Sequence, residues 1–418
     1  MIVLSGADLV LPDRVLGGGT LVLDGDRIVD VRPGADAAGD ASSQHLHFPF
    51  AEHYIVPGFI DVHVHGVEGL DTLDLPPDGG SHDGAVSSIA GMAERLPRYG
   101  VTAFCPTTIA CDPVALRRML SNVRAARTQR PPAGARVLPA HLESNFINPD
   151  YKGAQPLDCL RGVRPGSDPC LTPAPPEAWT GAEILAEIAA ARPDVGIITI
   201  APELDGAIDL IRELVAHEHH VSLGHSGATY EQAMEGVRAG ARQATHLFNR
   251  MTPIGHRAPG LAGAMLESSD VIAELICDGI HVHAGMMRVA LAAKGAEGIM
   301  AITDATAGAG LPRGSRSTIG GRPITVRDGA YLDDGTLAGS VLTMDRAFAR
   351  LTSEVGISLS EAATVCATTP ARALGLQGFG VIAPGAVADL VVLDRDLRVI
   401  QTWVAGTLAY EAPSKTTV

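Results

Sequence analysis

The middle of the chain alternates two textures. Short apolar runs closed by polar residues are separated by stretches in which apolar residues return every three to four positions. The runs are FIDVHVH (59–65), VTAFCPTT (101–108), RVLPAHLE (136–143), GIITIAPE (196–203), VSLGHS (221–226), QATHLFN (243–249), VIAELICDGIH (271–281) and GIMAITDA (298–305). A run without a polar alternation fits a strand buried on both faces, as in a parallel sheet. Stretches with helical spacing lie between many of them, at 84–98, 113–128, 206–218, 229–239 and 284–294. Eight such units predict an α/β fold, a (β/α)₈ TIM-like barrel over 54–375, with its chemistry where the strands end. The polar residues at or just past the run ends are His65, Thr107, Glu143, Glu203, His225, His246, His281 and Asp304. A doubly wound open sheet would alternate in the same way but gather such residues at one switch point, not around a ring.

Both ends of the chain read differently. GTLVLDGDRIVDV (19–31) alternates around an Asp24-Gly25 turn, behind a Gly17-Gly18-Gly19 loop, and strand-like runs recur at 388–393 and 398–404. The shared texture predicts a small β-sandwich domain built from 1–53 and 376–418.

Composition narrows the function. The 418 residues carry Lys+Arg 32 against Asp+Glu 47, a net charge of −15. That balance argues against nucleic acid or an anionic membrane as partner, but not against a small anionic substrate, which needs only local cations. No run reaches the ~18 apolar residues of a membrane span. The start, MIVLSGADLVLPDRV, lacks a basic segment and is broken by Asp8, Pro12 and Asp13, so a signal peptide is not expected. Cys105, Cys111, Cys159, Cys170, Cys277 and Cys366 form no CxxC pair and read as reduced thiols, mostly core filler, of a cytoplasmic protein.

His63 and His65 stand two apart at the end of a strand-like run, so both imidazoles project to one side and can serve one ion. An HxH pair alone carries little. Here Glu143, His225, His246 and Asp304 end other strands of the same barrel. Together they suffice for two metal sites: His63, His65, Glu143 and Asp304 around one, Glu143, His225 and His246 around the other. Zinc is the default for such ligation, with iron, cobalt or cadmium able to substitute. A bound divalent ion acidifies water and polarises an acyl oxygen, which makes hydrolysis the expected chemistry.

The motifs PGFIDVHVHG (57–66), HLESNFINPDYKGA (141–154), GHS (224–226), THLFNRM (245–251), DGIH (278–281), TDAT (303–306) and LAGS (337–340) carry a resemblance that covers the whole chain. The sequence resembles the amidohydrolase superfamily and, within it, the N-acetylglucosamine-6-phosphate deacetylase family. The resemblance implies a metal-dependent barrel with a β-sandwich from both ends, a homodimer, and an amino-sugar phosphate as substrate. By the same resemblance Glu143, His225 and His246 are the common ligands, and His63 and His65 the pair of members that hold a second ion. Asp304 is then the catalytic acid/base and a metal neighbour, and His281 orients the amide. Ala154, Gln155, Asn249, Arg250, Leu337, Ala338 and Gly339 surround the sugar, and Arg257 matches a phosphate-contacting arginine that reaches across the dimer interface. Many amidohydrolases bridge two metals with a carboxylated lysine; only Lys152, Lys294 and Lys415 are present and none ends a strand, so Glu143 is the expected bridge.

The sequence departs from the family pattern at Ser144-Asn145, in place of Gly-Pro, at Gln155, in place of a histidine, and at Arg250, in place of an alanine. These departures suggest a shifted preference, for instance toward the galactosamine epimer, while Arg250 adds positive charge. A purine- or cytosine-type deaminase shares the HxH, His, His and Asp set, but the Glu143 bridge and the HLE, THLFN and LAGS motifs argue against it. A scaffold without activity would have lost ligands, and every position is filled. Other features have plainer readings. His45, His47 and His53 belong to an interdomain segment, and His217, His219 and His220 to a solvent-exposed helix end. His283 falls past its strand. AGAGLPRG (307–314) lacks the Lys-Ser/Thr of a phosphate loop and reads as a mobile lid or surface loop. Residues 151–180 form an excursion near the pocket mouth.

Overall fold

A computed structural model of the chain describes residues 1–34, 46–73, 87–129, 131, 133–164 and 179–413. His45, Cys170, Lys415 and parts of the 84–98 and 151–180 stretches lie outside them.

The eight apolar runs form a ring of parallel strands: Phe59–Val64, Val101–Thr108, Arg136–Val137 with Ala140–Glu143, Val195–Ile200, His220–Leu223, Gln243–Ala244, Ile272–Ile276 and Ile299–Ile302. They pair in chain order. The third is broken at Leu138-Pro139, and its two halves pair separately with residues 103–104 and 107–108 of the second; proline has no N–H to give the ladder. The ring closes between the first and eighth strands. There the Asp304 N–H donates to the His63 carbonyl at 2.9 Å and the His65 N–H to the Ala305 carbonyl at 2.8 Å.

The helices outside the ring follow from their sequences. Pro113–Thr128 starts behind Asp112, whose carboxylate accepts from the N–H groups of Val114 and Ala115, and it buries Ala115, Leu116, Met119, Leu120, Val123 and Ala126 along one face. Tyr230–Ala239 opens with a Thr229/Gln232 capping box and ends at Gly240, whose φ of 119° suits glycine. Phe59, at the start of the first strand, is fully buried and stacks on Phe348 with ring centroids 5.3 Å apart.

Both chain ends meet in one eight-stranded, mainly antiparallel sheet. Its order is Thr407–Glu411, Val399–Val404, Leu390–Leu393, Tyr54–Pro57, Ile2–Val10, Val15–Asp24, Arg27–Arg32, with Leu46–Pro49 beside Ile2–Val10. Leu4, Leu9, Leu21, Ile28, Ile55, Leu390 and Trp403 are part of its own core. Tyr54–Pro57 pairs with Leu390–Leu393, so this sheet runs four residues past the expected limit at 53. No helix among the described residues is long and apolar enough to cross a membrane.

Several expectations are corrected. Gly17–Gly19 is no loop but the interior of a strand, where Gly18 donates to Asp8 Oδ1 at 3.0 Å and the pairing register shifts. The hairpin turn lies at Gly25-Asp26, between the paired Asp24 and Arg27. The 307–314 segment is not a lid along its whole length: Ala307 and Ala309 are buried. Gly66 passes so close that a Cβ there would stand 2.5 Å from the Ala307 nitrogen. His219 is buried, not solvent-exposed, because its Nδ1 turns inward to the Val195 carbonyl at 3.0 Å. A three-stranded antiparallel sheet, Arg316–Ile319, Arg322–Val326 and Ala330–Leu332, follows the eighth strand and was not anticipated.

Replacing Phe59 with alanine should remove the Phe348 stack and lower the unfolding free energy by about 3–5 kcal/mol. Urea titration should show this as an earlier transition. Val114→Ala, at a side chain that is 67% exposed, should stay within about 0.5 kcal/mol of the parent.

Candidate metal centre

Six side chains from five strand ends converge at one end of the ring. Glu143 Oε1 lies 2.9 Å from both His225 Nε2 and His246 Nε2 and 3.7 Å from His63 Nε2. Glu143 Oε2 stands 3.4 Å from His65 Nε2. Asp304 Oδ1 is 3.2 Å from His65 Nε2 and 3.4 Å from His63 Nε2. The expected set therefore assembles as two groups, His63/His65/Asp304 and Glu143/His225/His246, each with donor atoms within 4.8 Å of one another. Glu143 faces both. Two imidazole pairs meet Nε2 to Nε2, at 3.0 Å for His225 and His246 and 3.2 Å for His63 and His65. Lone pairs approach so closely only with a proton or cation to share, and the nitrogen and carboxylate donors suit a divalent ion of the zinc type.

The backbone is bent to achieve this. His225, His246 and Asp304 have φ values of 47°, 31° and 48°, each costing of order 1–3 kcal/mol in a residue other than glycine. The bends are tied down on either side. The His225 carbonyl accepts from Asn148 N–H at 2.9 Å, and the Asp304 carbonyl from Ser340 N–H at 2.7 Å.

A second layer holds the ligands. Glu274 Oε2 takes His63 Nδ1–H at 3.0 Å and the His246 N–H at 3.1 Å. His225 Nδ1 donates to the Tyr151 carbonyl at 2.8 Å. Such partners fix the tautomer and aim the other nitrogen. His141 and Glu274 also lie near His63 as a third possible group. His141 is already occupied, however, by the Val62 carbonyl at 3.0 Å and Thr199 Oγ1 at 2.9 Å. Asp61 links the first and eighth strands by accepting from Thr303 Oγ1 at 2.5 Å. Asp61, His141 and Glu274 were missed in the sequence. The available signal was an ionisable side chain inside an otherwise apolar run, which must find a partner if buried.

Electrostatics follow the geometry. Burial opposes the charge on Glu143, but His225 and His63 hold its pKa well below the usual carboxylate range. Asp304 is likewise lowered against burial by His63 and His65. Burial pushes Glu274 and Asp61 each up to about 7 and depresses His63 and His141 to about 4. For His65, burial is overcome by Asp304 and Glu143, which raise it to about 10.

A cavity of about 430 Å³ opens onto this centre. Ala154, Gln155, Asn249, Arg250, His281, Leu337, Ala338 and Gly339 all line it. Arg257 does not: it is exposed and outside the lining. His281 is oriented by Asp278, whose Oδ2 accepts from Nδ1 at 2.6 Å. Gln155 has both ends of its amide engaged, donating to Glu143 Oε2 at 2.6 Å and accepting from Ala110 N–H at 2.7 Å. Ser144 and Asn145 are buried away from the lining, where Ser144 Oγ donates to the Thr199 carbonyl and Asn145 to the carbonyls of Cys111 and Cys159. Glu203 accepts from Ser226 Oγ and Gly227 N–H, bracing the turn after His225.

The amidohydrolase family matches residues 54–409. An N-acetylgalactosamine-6-phosphate deacetylase of Escherichia coli O157:H7 is 36% identical over 358 residues, 85% of this chain and 87% of that one. An N-acetylglucosamine-6-phosphate deacetylase of Bacillus subtilis is 34% identical over 364 residues, 86% and 85% of the two chains. Among solved structures, a variant of N-acetyl-D-glucosamine-6-phosphate deacetylase from Mycobacterium smegmatis, in complex with N-acetyl-D-glucosamine-6-phosphate, is similar with a TM-score of 0.83. It is 32% identical, and the match covers 98% of this chain and 99% of that one.

Glu274→Gln should weaken divalent-metal affinity about 10- to 100-fold by freeing the His63 ring. Chelator competition reads this directly, and an unchanged affinity would show that His63 is held by other contacts.

Proposed function

The chain belongs to the amidohydrolase family, and from that premise we propose that it is a metal-dependent deacetylase. It hydrolyses the acetamide of N-acetylglucosamine 6-phosphate to glucosamine 6-phosphate and acetate. The observation that carries this reading is the convergence of Glu143, His225, His246, His63, His65 and Asp304 beside a cavity of sugar-phosphate size. Glu143, His225 and His246 would hold one divalent ion, zinc by the chemistry of the donors, and His63, His65 and Asp304 a second. When bound, such an ion supplies Lewis acidity to a water and to an acyl oxygen.

The protein's own groups do the rest. Asp304, whose pKa is held low by His63 and His65 against the effect of burial, is a carboxylate at neutral pH and can accept the proton of the attacking water. It then delivers that proton to the departing nitrogen, which an amide needs in order to leave as an amine. His281, with Nδ1 engaged by Asp278, keeps Nε2 to hydrogen-bond the substrate. Gly339 brings its backbone against Asp304, where a Cβ would stand 2.9 Å from the Asp304 carbonyl oxygen. The 337–339 loop thereby closes the cavity beside the acid/base. Gln155 acts on Glu143 while lining the sugar pocket.

A second substrate has a specific observation behind it. The 36% identical relative from Escherichia coli is named for the galactosamine epimer, so N-acetylgalactosamine 6-phosphate belongs beside the glucosamine compound. We also assign the protein to the cytoplasm, consistent with five free cysteines among the described residues. A homodimer fits the exposure of Arg257 and of its neighbour Ile254, which is 48% exposed.

Metal-replete protein should release acetate, not ammonia, from N-acetylglucosamine 6-phosphate. Asp304→Asn should cut kcat about 10²- to 10⁴-fold while metal stays bound through Glu143, His225 and His246. No acetate from either epimer with metal present would end the deacetylase reading.

A further inference from the structure

The metal centre stands where the barrel strands end. A second cavity, of about 600 Å³, opens where they begin, and the two share no lining residue. Its walls come from 137–139 at the break in the third strand, from 195–196 at the start of the fourth and from 219–220 at the start of the fifth. The chain on its way back to the terminal sheet adds Leu374 and Leu376. With Cys105, Val137 and Leu138 these leucines give the cavity apolar surface.

Its charge runs against that of the chain. Arg127, Arg192, His217, His219 and His220 line it, and among the described residues Glu218 is the one carboxylate in the lining. Asp194, between the lining residues Pro193 and Val195, is shared by two arginines: Arg127 Nη1 donates to one oxygen and Arg124 Nε to the other, the latter at 2.6 Å. Three arginines therefore stand against two carboxylates in a protein whose net charge is −15. His219 is the buried member of the set. It is only 6% exposed, its Nδ1 is committed to the Val195 carbonyl at 3.0 Å, and its Nε2 has no hydrogen bond among the described residues. Burial and, beyond it, Arg192, His217 and His220 hold its pKa below the ordinary imidazole value. Nε2 is thus available to a ligand hydroxyl or, once protonated, to an oxyanion. Apolar walls with a few charged groups, at this volume, are the ordinary form of a small-molecule site.

We propose that this cavity is a second ligand site, for a small organic molecule that joins an oxyanion, carboxylate or phosphate, to an apolar body. The oxyanion meets the exposed guanidinium of Arg192, and the apolar body lies against Leu138, Leu374 and Leu376. The site does not depend on the deacetylase reading and stands whatever the metal centre hydrolyses.

Benzoate and phenyl phosphate are the probes. Benzyl alcohol lacks the charge and inorganic phosphate lacks the apolar body, so both serve as controls. Calorimetry on metal-replete protein should show saturable binding of at least one aromatic anion, tighter than either control. Arg192→Glu, at an exposed side chain, should leave the melting temperature unchanged and weaken that binding about 10- to 100-fold. Arg14→Glu, at an exposed arginine in a hairpin of the terminal sheet, should leave it unchanged. Hydrogen exchange then locates the bound probe. Slower exchange at 192–196 and 217–221 supports the site, whereas slowing confined to 143–155 and 246–251 puts the probe in the metal-centre cavity and overturns the proposal. Absence of saturable binding, equal affinity for either control, or binding that Arg192→Glu does not weaken overturns it as well.

Discussion

The buried charge of Glu143 is the constraint to which the rest of the centre answers. A carboxylate only 3% exposed at a barrel strand end is intolerable in an apolar interior unless positive charge and hydrogen-bond donors surround it. Four histidines and the Gln155 amide do so. They have to be brought from three strand ends and a loop, and that requirement explains features without meaning on their own: left-handed backbone at His225 and His246, a carbonyl offered by Tyr151, and a second buried acid, Glu274, behind His63. Removing the central charge would leave the histidines crowded against one another. Removing the histidines would leave a bare buried anion.

Closure of the barrel and assembly of the centre are one event. The first and eighth strands are joined by peptide hydrogen bonds at His63, His65, Asp304 and Ala305, the same short stretch that carries three candidate ligands. Asp61 and Thr303 add a side-chain bond one step behind. A ring that failed to close would scatter His63, His65 and Asp304, so ligand geometry inherits the rigidity of the sheet. Sites set on strand ends in this way hold their groups more accurately than loops do.

How much of this could be read in advance depends on the physical signal each part leaves. The eight strands were legible because strands covered on both faces form unbroken apolar runs, and because the polar residue closing each run marks the open end of the ring. Glu143, His225, His246, His63, His65 and Asp304 were legible for the same reason. Glu274 and Asp61 were not: they lie inside the runs, where periodicity gives no hint that a polar group waits on another strand. The sheet at 316–332 was hidden by its short strands, whose Arg316, Ser317 and Thr318 resemble loop composition. His219 misled because a helix end was assumed to stay in solvent, whereas the chain folds back to begin the next strand and buries it.

The departures from the family pattern can now be sorted by what they touch. Ser144 and Asn145 serve backbone carbonyls and never reach the cavity, so their novelty concerns local packing. Gln155 reaches the cavity wall, but its amide is held at both ends, and its effect passes through Glu143. Arg250 alone among the departures adds a cation to the cavity lining. Telling glucosamine from galactosamine turns on the direction of one hydroxyl and calls for a donor or acceptor placed to meet it. The guanidinium of Arg250 chiefly changes the charge of a cavity lined by three carboxylates. The sequence differences in this pocket therefore bear on its charge and on the hydrogen bonding of Glu143 more than on epimer choice.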